Sequence, residues 1–557
     1  MKFRILFLGA IFLTLCTTVI VSAVSFNQDD AKRLSGYYEI IDGLYVSHAP
    51  GVYEEDIKLE FVVTDKDSKL FYSLDSSEPT RLYGSPIKIK SKSLLDLKEY
   101  PLTTSVDAVL SQFTDRCFSY NYIDNIQNPG HYNLSDKINV VTIKYVDSEG
   151  NEYTRSLSYL HSKYLIPVVS LSMEYNEWFG EEGFYNKIRD NISKYVNLEY
   201  FDMEYDEYFY ANSKIKLGGN WSLGYPQRTL NLNFNKDKDG NKNNIPDTHI
   251  FKDRKQLGNT NEELVDLSRF RLHNSGNSFE DFTGFNDAVI QQMMAYTNAS
   301  TTSYRPCIAY LNGEYWGIYY IREHYSDTYF ADNYNVDKDS VALYELKGNI
   351  LFDDGDDSDF ESFFDSLNKF LKRDFSDNQV YEEFINTYID VDSLIDVFIA
   401  QSYAGNWDFV GNYNNLKMWR TTTIDPNNPY ADGKLRFCLH DVDFAFNDYA
   451  NYLEKNTANS YSKFEMFRKL LENEQFKTRF YQRTEELMAT NLSAINAAET
   501  LNRMVNEVKP YKSDAMVRWG DYRGMKAWTE RVKVAFDYFN RQEENYLGSV
   551  KRALNQY

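Results

Sequence analysis

Cysteine is scarce in this chain, which has four among its 557 residues. Cys16 lies in an apolar N-terminal segment, so the rest of the chain contains Cys117, Cys307 and Cys438. This odd and widely scattered set matches neither a disulfide framework nor the ligand spacing of a zinc site. The three cysteines are therefore expected to be buried free thiols.

Several catalytic signatures are also absent. The sequence has no Walker phosphate-binding motif and no Gly-x-Ser-x-Gly nucleophile elbow near plausible triad partners. His273, His324 and His440 lack close His or Cys companions at ligand spacing, which argues against zinc. These absences disfavour P-loop NTPases, elbow-type serine hydrolases and zinc enzymes.

Basic residues are in deficit, with 60 Lys and Arg against 82 Asp and Glu and a formal charge of −22. Such a balance disfavours nonspecific binding to nucleic acid or to an anionic membrane surface. Positively charged partners are favoured instead. We therefore expect no nucleic-acid partner, and a protein partner that is basic if charge guides the encounter.

A long apolar run occurs at the N terminus. Residues 1–23 combine two basic residues, an apolar stretch and a small-residue ending (VSA), which is typical of a secretory signal peptide. The protein is therefore expected to be secreted or displayed at the cell surface, without stable membrane insertion if the signal is cleaved. An uncleaved anchor is the alternative, because the run is nearly long enough to span a bilayer.

Hydrophobic residues make up 43% of the chain and aromatic residues 16%, enough for at least one large core. Short alternating runs over residues 35–162, such as 57–63 (IKLEFVV), predict an all-β immunoglobulin-like sandwich. Within it, residues 70–80 (LFYSLDSSEPT) resemble the small immunoglobulin-like module at the C terminus of chitobiases, which implies a spacer or docking role. Residues 163–557 mix strands with longer helices, which predicts one large α+β domain.

Two acidic motifs bracket a predicted β-hairpin in that domain. An N-cap at Asp392 and apolar residues at helical spacing predict a helix that leads to residues 405–412 (GNWDFVGN). Strands are predicted over 415–420 and 434–439, and the second acidic motif (LHDVDFAF) occupies 439–446. The hairpin is expected to place the two motifs side by side.

The convergence of these motifs predicts a site for metal and base. Asp408, with Asn412 or Asn414, is expected to approach Asp441 and Asp443, since carboxylate and amide oxygens are the ligands that Mg²⁺ prefers. Asp408 is also placed to accept the proton of an incoming hydroxyl. Single Asp and Asn residues often cap turns, but the ordered set of helix, hairpin and second acid favours function.

These motifs resemble those of the CotH kinases, atypical relatives of protein kinases named for a spore coat protein of bacilli. The resemblance spans residues from about 163 to the C terminus and includes 270–274 (FRLHN), Asp287 at the head of a helix, and 310–319 (YLNGEYWGIY) followed by Arg322 and Glu323. It implies a kinase-like fold and transfer of the ATP γ-phosphate to Ser or Thr of a partner surface or coat protein, with Mg²⁺ or Mn²⁺.

The resemblance also implies roles for the residues of the acidic motifs. Asp408 matches the catalytic Asp. Asn412, with Asn414 as the alternative, matches a metal-binding amide, and Asp441 or Asp443 matches the metal-binding Asp of kinases. We expect both of these acids to face the metal.

The nucleotide-binding half departs from the family pattern. The family usually shows Arg-Gly-Asn-Ser-Ser and then Lys-Lys, whereas this chain reads GGNWS over 218–222 and PQR over 226–228. A Gly pair lets backbone amides approach phosphates. The predicted ATP-binding residues are Gly219, Asn220, Ser222, Arg228 in place of a phosphate-pairing Lys, and Glu323 as the partner of Arg228.

Two acidic loops are secondary candidates for cation binding. Residues 235–243 (NKDKDGNKN), within a loop over 235–247, alternate carboxylates and amides around a Gly but lack the closing Glu of a calcium loop. A solvated turn is therefore favoured over a Ca²⁺ site. The five acids in residues 353–359 (DDGDDSD) predict an exposed loop first and a cation site second.

Two other function classes compete with an active kinase. A catalytically weak or inactive pseudokinase acting at the cell surface or in adhesion is favoured by the altered Gln227 and Arg228, and by the scarcity of ATP outside cells. A carbohydrate-associated accessory protein is favoured only by the chitobiase-like module and the many aromatic residues.

Overall fold

The computed structural model describes the elements of most of the chain: residues 36–90, 138–183, 185–187, 190–219, 221–225, 227–241, 243, 248–251, 267–276, 283–447, 452–455, 457–519 and 524–557. The predicted signal peptide, Cys117 and Asn220 lie outside the described residues. Cys307 and Cys438 are buried free thiols, as predicted. No helix of the described ranges is long and apolar enough to cross a membrane.

The N-terminal region is rich in β structure. Its three sheets have the strand orders β1-β2-β5, β3-β10-β9-β6-β7 and β4-β8. The strands are β1 Tyr38–Ile41, β2 Leu44–Val46, β3 Gly51–Val52, β4 Ile57–Leu59, β5 Phe61–Val63, β6 Lys69–Ser73, β7 Arg81–Leu82, β8 Ile87–Ile89, β9 Asn139–Val146 and β10 Glu152–Leu160. The alternation seen in the sequence buries one face of these strands around a separate core that includes Leu44, Ile143 and Leu157. The immunoglobulin-like sandwich and its boundaries stay predictions.

A closed seven-stranded barrel follows, with the order β11-β12-β13-β14-β15-β17-β16. Its strands are β11 Val168–Ser172, β12 Ser193–Asp202, β13 Glu207–Gly218, β14 Thr229–Asn233, β15 Arg269–His273, β16 Tyr304–Leu311 and β17 Glu314–Arg322. Apolar side chains such as Leu198, Ile215 and Leu272 fill the interior. Closure leaves the barrel without a free edge strand, which removes unpaired backbone groups.

The C-terminal end of the helix Ala494–Trp519 packs against strand β17 of the barrel. Arg518 and Trp519 donate hydrogen bonds to the carbonyls of Tyr315 and Trp316 at 2.9 and 3.1 Å. Gly317 has a φ of +103°, and a Cβ there would lie 2.8 Å from the indole nitrogen of Trp519. A glycine is therefore required where the helix meets the strand.

Besides these strands, the described residues form ten helices and a four-stranded sheet, and most of these elements contribute to the largest core. The sheet has the order β19-β18-β20-β21, with β18 Val341–Lys347, β19 Asn349–Gly355, β20 Leu416–Thr421 and β21 Arg436–Cys438. The helices are α1 Tyr175–Phe179, α2 Asn286–Met293, α3 Asp327–Tyr334, α4 Phe360–Phe370, α5 Asn378–Thr387, α6 Val391–Ala404, α7 Glu465–Leu470, α8 Glu474–Ala489, α9 Ala494–Trp519 and α10 Gly524–Leu554. A mixed α and β architecture is thus confirmed.

The predicted helix and hairpin around the acidic motifs are present. Helix α6 begins after Asp390, whose carboxylate accepts from the Ser393 amide at 2.9 Å, so the N-cap is two residues earlier than predicted. It ends at Gly405 in a left-handed conformation, and the chain then enters the first acidic motif. Strands β20 and β21 pair antiparallel, as the hairpin prediction requires.

The acidic segment 353–359 contains no buried residue, in line with its predicted exposure, but it is not a loop throughout. Its first three residues extend β19 as an edge strand. Asp359 accepts two hydrogen bonds from Arg420 at 2.7 and 2.8 Å, and Asp353 pairs with Lys417 at 2.6 Å. Neighbouring cations offset the repulsion between the acids, which the linear sequence does not reveal.

Candidate active site

A cavity of about 360 Å³ lies between the barrel and the four-stranded sheet β19-β18-β20-β21, called the second sheet below. Residues of both acidic motifs and residues at the ends of barrel strands line this cavity. The residues are Gly219, Ser222, Thr229, Arg271, His273, Gly276, Asp287, Gln291, Thr302, Arg322, Glu323, His324, Tyr325, Glu345, Lys347, Asp353, Asp408, Asn414, Asn415, Lys417, His440, Asp441 and Asp443. Clefts of this size are typical of small-molecule sites.

Asp408 is held by amides from the loop that follows it. Asn415 donates to the Asp408 carbonyl at 2.8 Å and to its Oδ2 at 3.1 Å. Asn414 donates to Oδ2 at 3.4 Å and Asn412 to Oδ1 at 3.3 Å. These hydrogen bonds fix the direction of the Asp408 carboxylate.

The structure separates the candidate amides that the sequence could not rank. Asn412 is exposed and does not line the cavity, whereas Asn414 and Asn415 do. Asn415, which the sequence reading did not propose, is buried and adopts a left-handed conformation at a φ of +56°. Asn414 rather than Asn412 therefore lies at the cavity wall, and the choice of the metal-binding amide stays a prediction.

Asp441 and Asp443 face the same cavity, and their carboxyl groups are in hydrogen-bond contact. Burial, with the charges of Asp287 and Asp408, raises the pKa of Asp441 to about 7. Asp441 itself has a left-handed backbone with a φ of +51°. Non-glycine residues in this region are uncommon and concentrate at functional sites.

Cationic side chains occupy the barrel wall of the cavity. Arg271 on β15 and Arg322 on β17 are directly paired in register. Arg322 also forms an ion pair with Asp287 at 2.7 Å, and the Asp287 carboxylate accepts from the Val442 amide at 3.0 Å. Through Asp287, the guanidinium of Arg322 is tied to the second acidic motif.

Lys417 brings a further cation to the cavity from β20. It is buried, and its ammonium lies 2.6 Å from Asp353 and 3.5 Å from Glu345. Glu345 is its register partner on β18 and also pairs with Lys347 at 2.7 Å. The two carboxylates hold the Lys417 ammonium in position at the cavity wall.

Three histidines line the cavity without contributing charge at neutral pH. Burial and the nearby Arg322 and Arg271 lower the pKa of His273 to about 3. Burial likewise holds the pKa of His324 and His440 well below the ordinary value. Neutral imidazoles are hydrogen-bonding groups rather than counter-charges.

The predicted ATP-binding residues are only partly brought together. Gly219 and Ser222 line the cavity, and Gly219 has a φ of +97° with its backbone close to the Ser222 hydroxyl. Glu323 lines it as well, and its carboxylate accepts from the Ser303 amide at 2.8 Å and from Asn333 at 3.3 Å.

Arg228 does not line the cavity. It is fully buried at the barrel, where its guanidinium lies 4.4 Å from the centre of the Tyr185 ring and donates to the Tyr185 carbonyl. Arg228 is therefore not placed to reach a nucleotide in this cavity, contrary to the expectation from its charge. Arg228 directly precedes β14, and the next residue, Thr229, lines the cavity, so the alternation of side chains along the chain directs Arg228 the other way.

Metal binding depends on which donor groups lie close together. No three or more Asp, Glu, His and Cys groups of the described ranges form a cluster with metal-site spacing. Mg²⁺ is commonly bound by one or two carboxylates together with phosphate and water. Asp441 and Asp443 supply such a pair.

The 235–247 loop is the other candidate for cation binding. There, Asp237 accepts hydrogen bonds from the amides of Asp239 and Asn241, and Ca²⁺ binding stays a prediction.

The sequence reading missed the cations that face the acids. Arg271, Arg322 and Asp287 fall within motifs that it used to detect a resemblance, but it assigned them no role. Lys417 was predicted only as part of a strand, and Glu345 was not singled out. A polar residue at a strand position that alternation assigns to the buried face would have marked these residues as candidates for the site.

A protein-family model described as CotH kinase protein matches residues 215–546. This range covers four barrel strands, the second sheet and almost all of the helical region, and it includes every cavity-lining residue named above. No curated protein matches the chain. The match begins later than the position near residue 163 that the motifs indicated, but it spans more than half of the sequence. The chain therefore belongs to the CotH kinase protein family.

Proposed function

We propose that this protein is an exported atypical kinase that transfers the γ-phosphoryl group of ATP to Ser or Thr hydroxyls of a partner surface protein. Family membership supports kinase-like chemistry. The observation that carries the proposal is the arrangement of charge in the cavity. The acids Asp408, Asp441 and Asp443 share one cavity with the cations Arg271 and Lys417.

This charge arrangement suits a nucleoside triphosphate. Arginine and lysine hold phosphate oxygens by charge-assisted hydrogen bonds. Arg271 and Lys417 take the role that the sequence reading gave to Arg228, and backbone amides near Gly219 with the Ser222 hydroxyl lie in the same cavity. The departure at Gln227 and Arg228 therefore leaves the cavity intact, because Arg228 packs on Tyr185 instead.

The donor set fits Mg²⁺ or Mn²⁺. Asp441 and Asp443 would hold the ion, with the amide oxygen of Asn414 nearby in the same cavity. Burial and the charges of Asp287 and Asp408 raise the pKa of Asp441 to about 7, so a divalent cation beside it would favour the ionised carboxylate. A bound divalent ion would neutralise charge on the phosphates.

Asp408 would act as the base that orients the acceptor. Its carboxylate accepts the proton of the Ser or Thr hydroxyl as that oxygen bonds to the γ-phosphorus and the bond to the β-phosphate oxygen breaks. The Asn415 amide holds the carboxylate in place during this step. Arg271 and Lys417 stabilise the negative charge of the departing diphosphate.

The net charge of −22 supports a basic acceptor protein and no nucleic-acid partner. Residues 1–23 support export to the cell surface or medium. An inactive pseudokinase is the competing function, and the scarcity of ATP outside cells favours it. A pseudokinase that acts in adhesion at the cell surface, or in association with carbohydrate, would need no ATP binding in this cavity.

The deciding experiment is transfer from radiolabelled ATP by purified protein with Mg²⁺ or Mn²⁺, to itself and to a basic Ser-containing acceptor. Asp408→Ala and Asp443→Ala should each abolish labelling while the folded protein persists by circular dichroism. Label that persists in both variants would overturn the catalytic assignment. Wild-type protein that fails to bind ATP by calorimetry would establish the pseudokinase instead.

A further inference from the structure

The second sheet ends in an open edge at β19, the strand Asn349–Gly355. One edge of β19 pairs with β18, and no strand of the described ranges pairs with the other. At the opposite end of the sheet, Ser300 forms a bridge with β21, so that edge is covered. The barrel is closed. Of the two sheets that form the active-site cavity, the described residues therefore leave one open edge, at β19.

The backbone of β19 is accessible along its whole length. None of its seven residues is buried, whereas β18 is buried at all but its last residue. Outside the ladder with β18, no described residue forms a hydrogen bond with the backbone of 349–355. Such an edge accepts an extended peptide that continues the sheet through main-chain hydrogen bonds.

The open edge leads to the loop that carries Asp408. In the turn between β18 and β19, the Gly348 amide donates to the Tyr413 carbonyl at 2.7 Å. Tyr413 directly follows Asn412, whose side chain donates to Oδ1 of Asp408 at 3.3 Å. Further along β19, Asp353 lines the active-site cavity. A strand added to β19 would therefore lie at the rim of the cavity, with one end beside the Asp408 loop.

The far end of the edge carries negative charge that its neighbours only partly offset. Lys417 and Arg420 pair with the acids at positions 353 and 359. Over the described part of the chain, neither Asp356 nor Asp357 forms an ion pair. Like charges on paired strands are destabilising, so this edge disfavours a second copy of the chain and suits Lys or Arg side chains.

We propose that β19 binds the acceptor segment of a basic partner protein as an added β-strand. The acceptor Ser or Thr would lie beside the Asp408 loop, and Lys or Arg beside Asp356 and Asp357. The seven residues of β19 span about 23 Å at about 3.3 Å per residue, so the basic residue and the hydroxyl stand about seven positions apart. The role of acceptor rests on the proposed kinase activity, whereas strand pairing itself needs no ATP.

The test uses the full chain without ATP and fluorescent peptides of about ten residues, enough to cover β19. Each peptide has a Ser at one end, alternating Thr and Val, and a Lys pair at the other end, before the Ser in one peptide and after it in the other. At least one should bind by fluorescence anisotropy, and Glu in place of Lys should weaken binding at least about 10-fold. Amide hydrogen exchange should slow at 349–355 in the complex and stay unchanged in β21.

Two modified peptides separate strand pairing from attraction of charge. One carries N-methyl groups at odd positions and the other at even positions. Alternate amides of a strand point to opposite edges, so one set should abolish binding and the other should preserve it.

A pair of double variants tests the charge. Asp356→Asn with Asp357→Asn should weaken binding about 3- to 10-fold, as for two exposed ion pairs. Glu149→Gln with Glu152→Gln is the matched control, because both acids are exposed but lie at the turn between β9 and β10. It should leave the affinity unchanged.

The docking site is refuted if neither Lys peptide binds, if binding leaves exchange at 349–355 unchanged, or if both N-methyl sets bind equally. Binding with protection of 349–355 but no phosphorylation would support the docking site and count against the kinase. Phosphorylation without protection of 349–355 would support the kinase and refute the docking site.

Discussion

Gly276 lies against the carboxylate of Asp443, so closely that a Cβ atom at position 276 would stand 1.7 Å from Oδ2 of the acid. The glycine has a φ of +53°, and its amide donates to the Asn274 side chain at 3.0 Å. Asn274 also donates to the Gln227 carbonyl at 2.6 Å. This anchored turn of the barrel therefore limits where the Asp443 carboxylate can point.

We predict that Gly276→Ala lowers phosphoryl transfer about 10- to 100-fold, the range found when groups that orient metal ligands are changed. The added methyl group must displace Asp443 or the turn. Steady-state kinetics at varied Mg²⁺ concentration measure the effect. Gly150→Ala is the control, because it has a φ of +87° but open space around a Cβ; equal losses in both variants would contradict the prediction.

The assignment of phosphate-binding cations gives a second prediction. Lys417→Met should raise the KM for ATP at least about 10-fold, since a hydrogen bond to a charged group contributes about 1.5 to 3 kcal/mol. Arg228→Met should lower the melting temperature through lost packing on Tyr185, yet leave the KM for ATP unchanged. Steady-state kinetics below the melting temperature of each variant measure the KM for ATP. A larger increase in KM from Arg228→Met than from Lys417→Met would contradict the assignment of Lys417 as a phosphate-binding cation.

Asn415 and Asn412 provide a matched pair around Asp408. Asn415→Ala removes the donor to both the carbonyl and Oδ2 of Asp408, so kcat should fall about 10- to 100-fold, as for other loss of catalytic positioning. Asn412→Ala removes two long hydrogen bonds at an exposed position, one to the Trp407 carbonyl and one to Oδ1 of Asp408, and should change kcat by less than about 3-fold. Rapid-mixing measurements of the transfer step test the pair; equal effects would contradict the positioning role of Asn415.

Glu199 on β12 should make stability depend on pH. Burial raises its pKa to about 7, although Tyr208 donates to Oε1 at 3.1 Å. Because its folded-state pKa is raised, the native state binds more protons between pH about 4.5 and 7, and stability falls as pH rises through that window. Glu199→Gln should remove up to about 3 kcal/mol of this dependence. Urea unfolding at several pH values measures it, and an unchanged pH slope would refute the prediction.

Local elements were largely predictable from the chain. The periodicity of α6 and the alternation of β20 and β21 marked the helix and hairpin, since both depend on neighbours within a few residues. The convergence of Asp408 with Asp441 followed from that hairpin. The barrel was not predictable, because its closing contact pairs β11 with β16, more than a hundred residues later.

The sequence by itself determined the acidic motifs, their order around a hairpin, and the resemblance that the family match confirms. Tertiary structure alone decided which cations face those acids. Arg271 and Lys417 reach the cavity from different sheets, while Arg228 turns into the barrel against Tyr185. The reason is physical: the direction of a strand side chain depends on register and closure, which are set by pairing between distant segments.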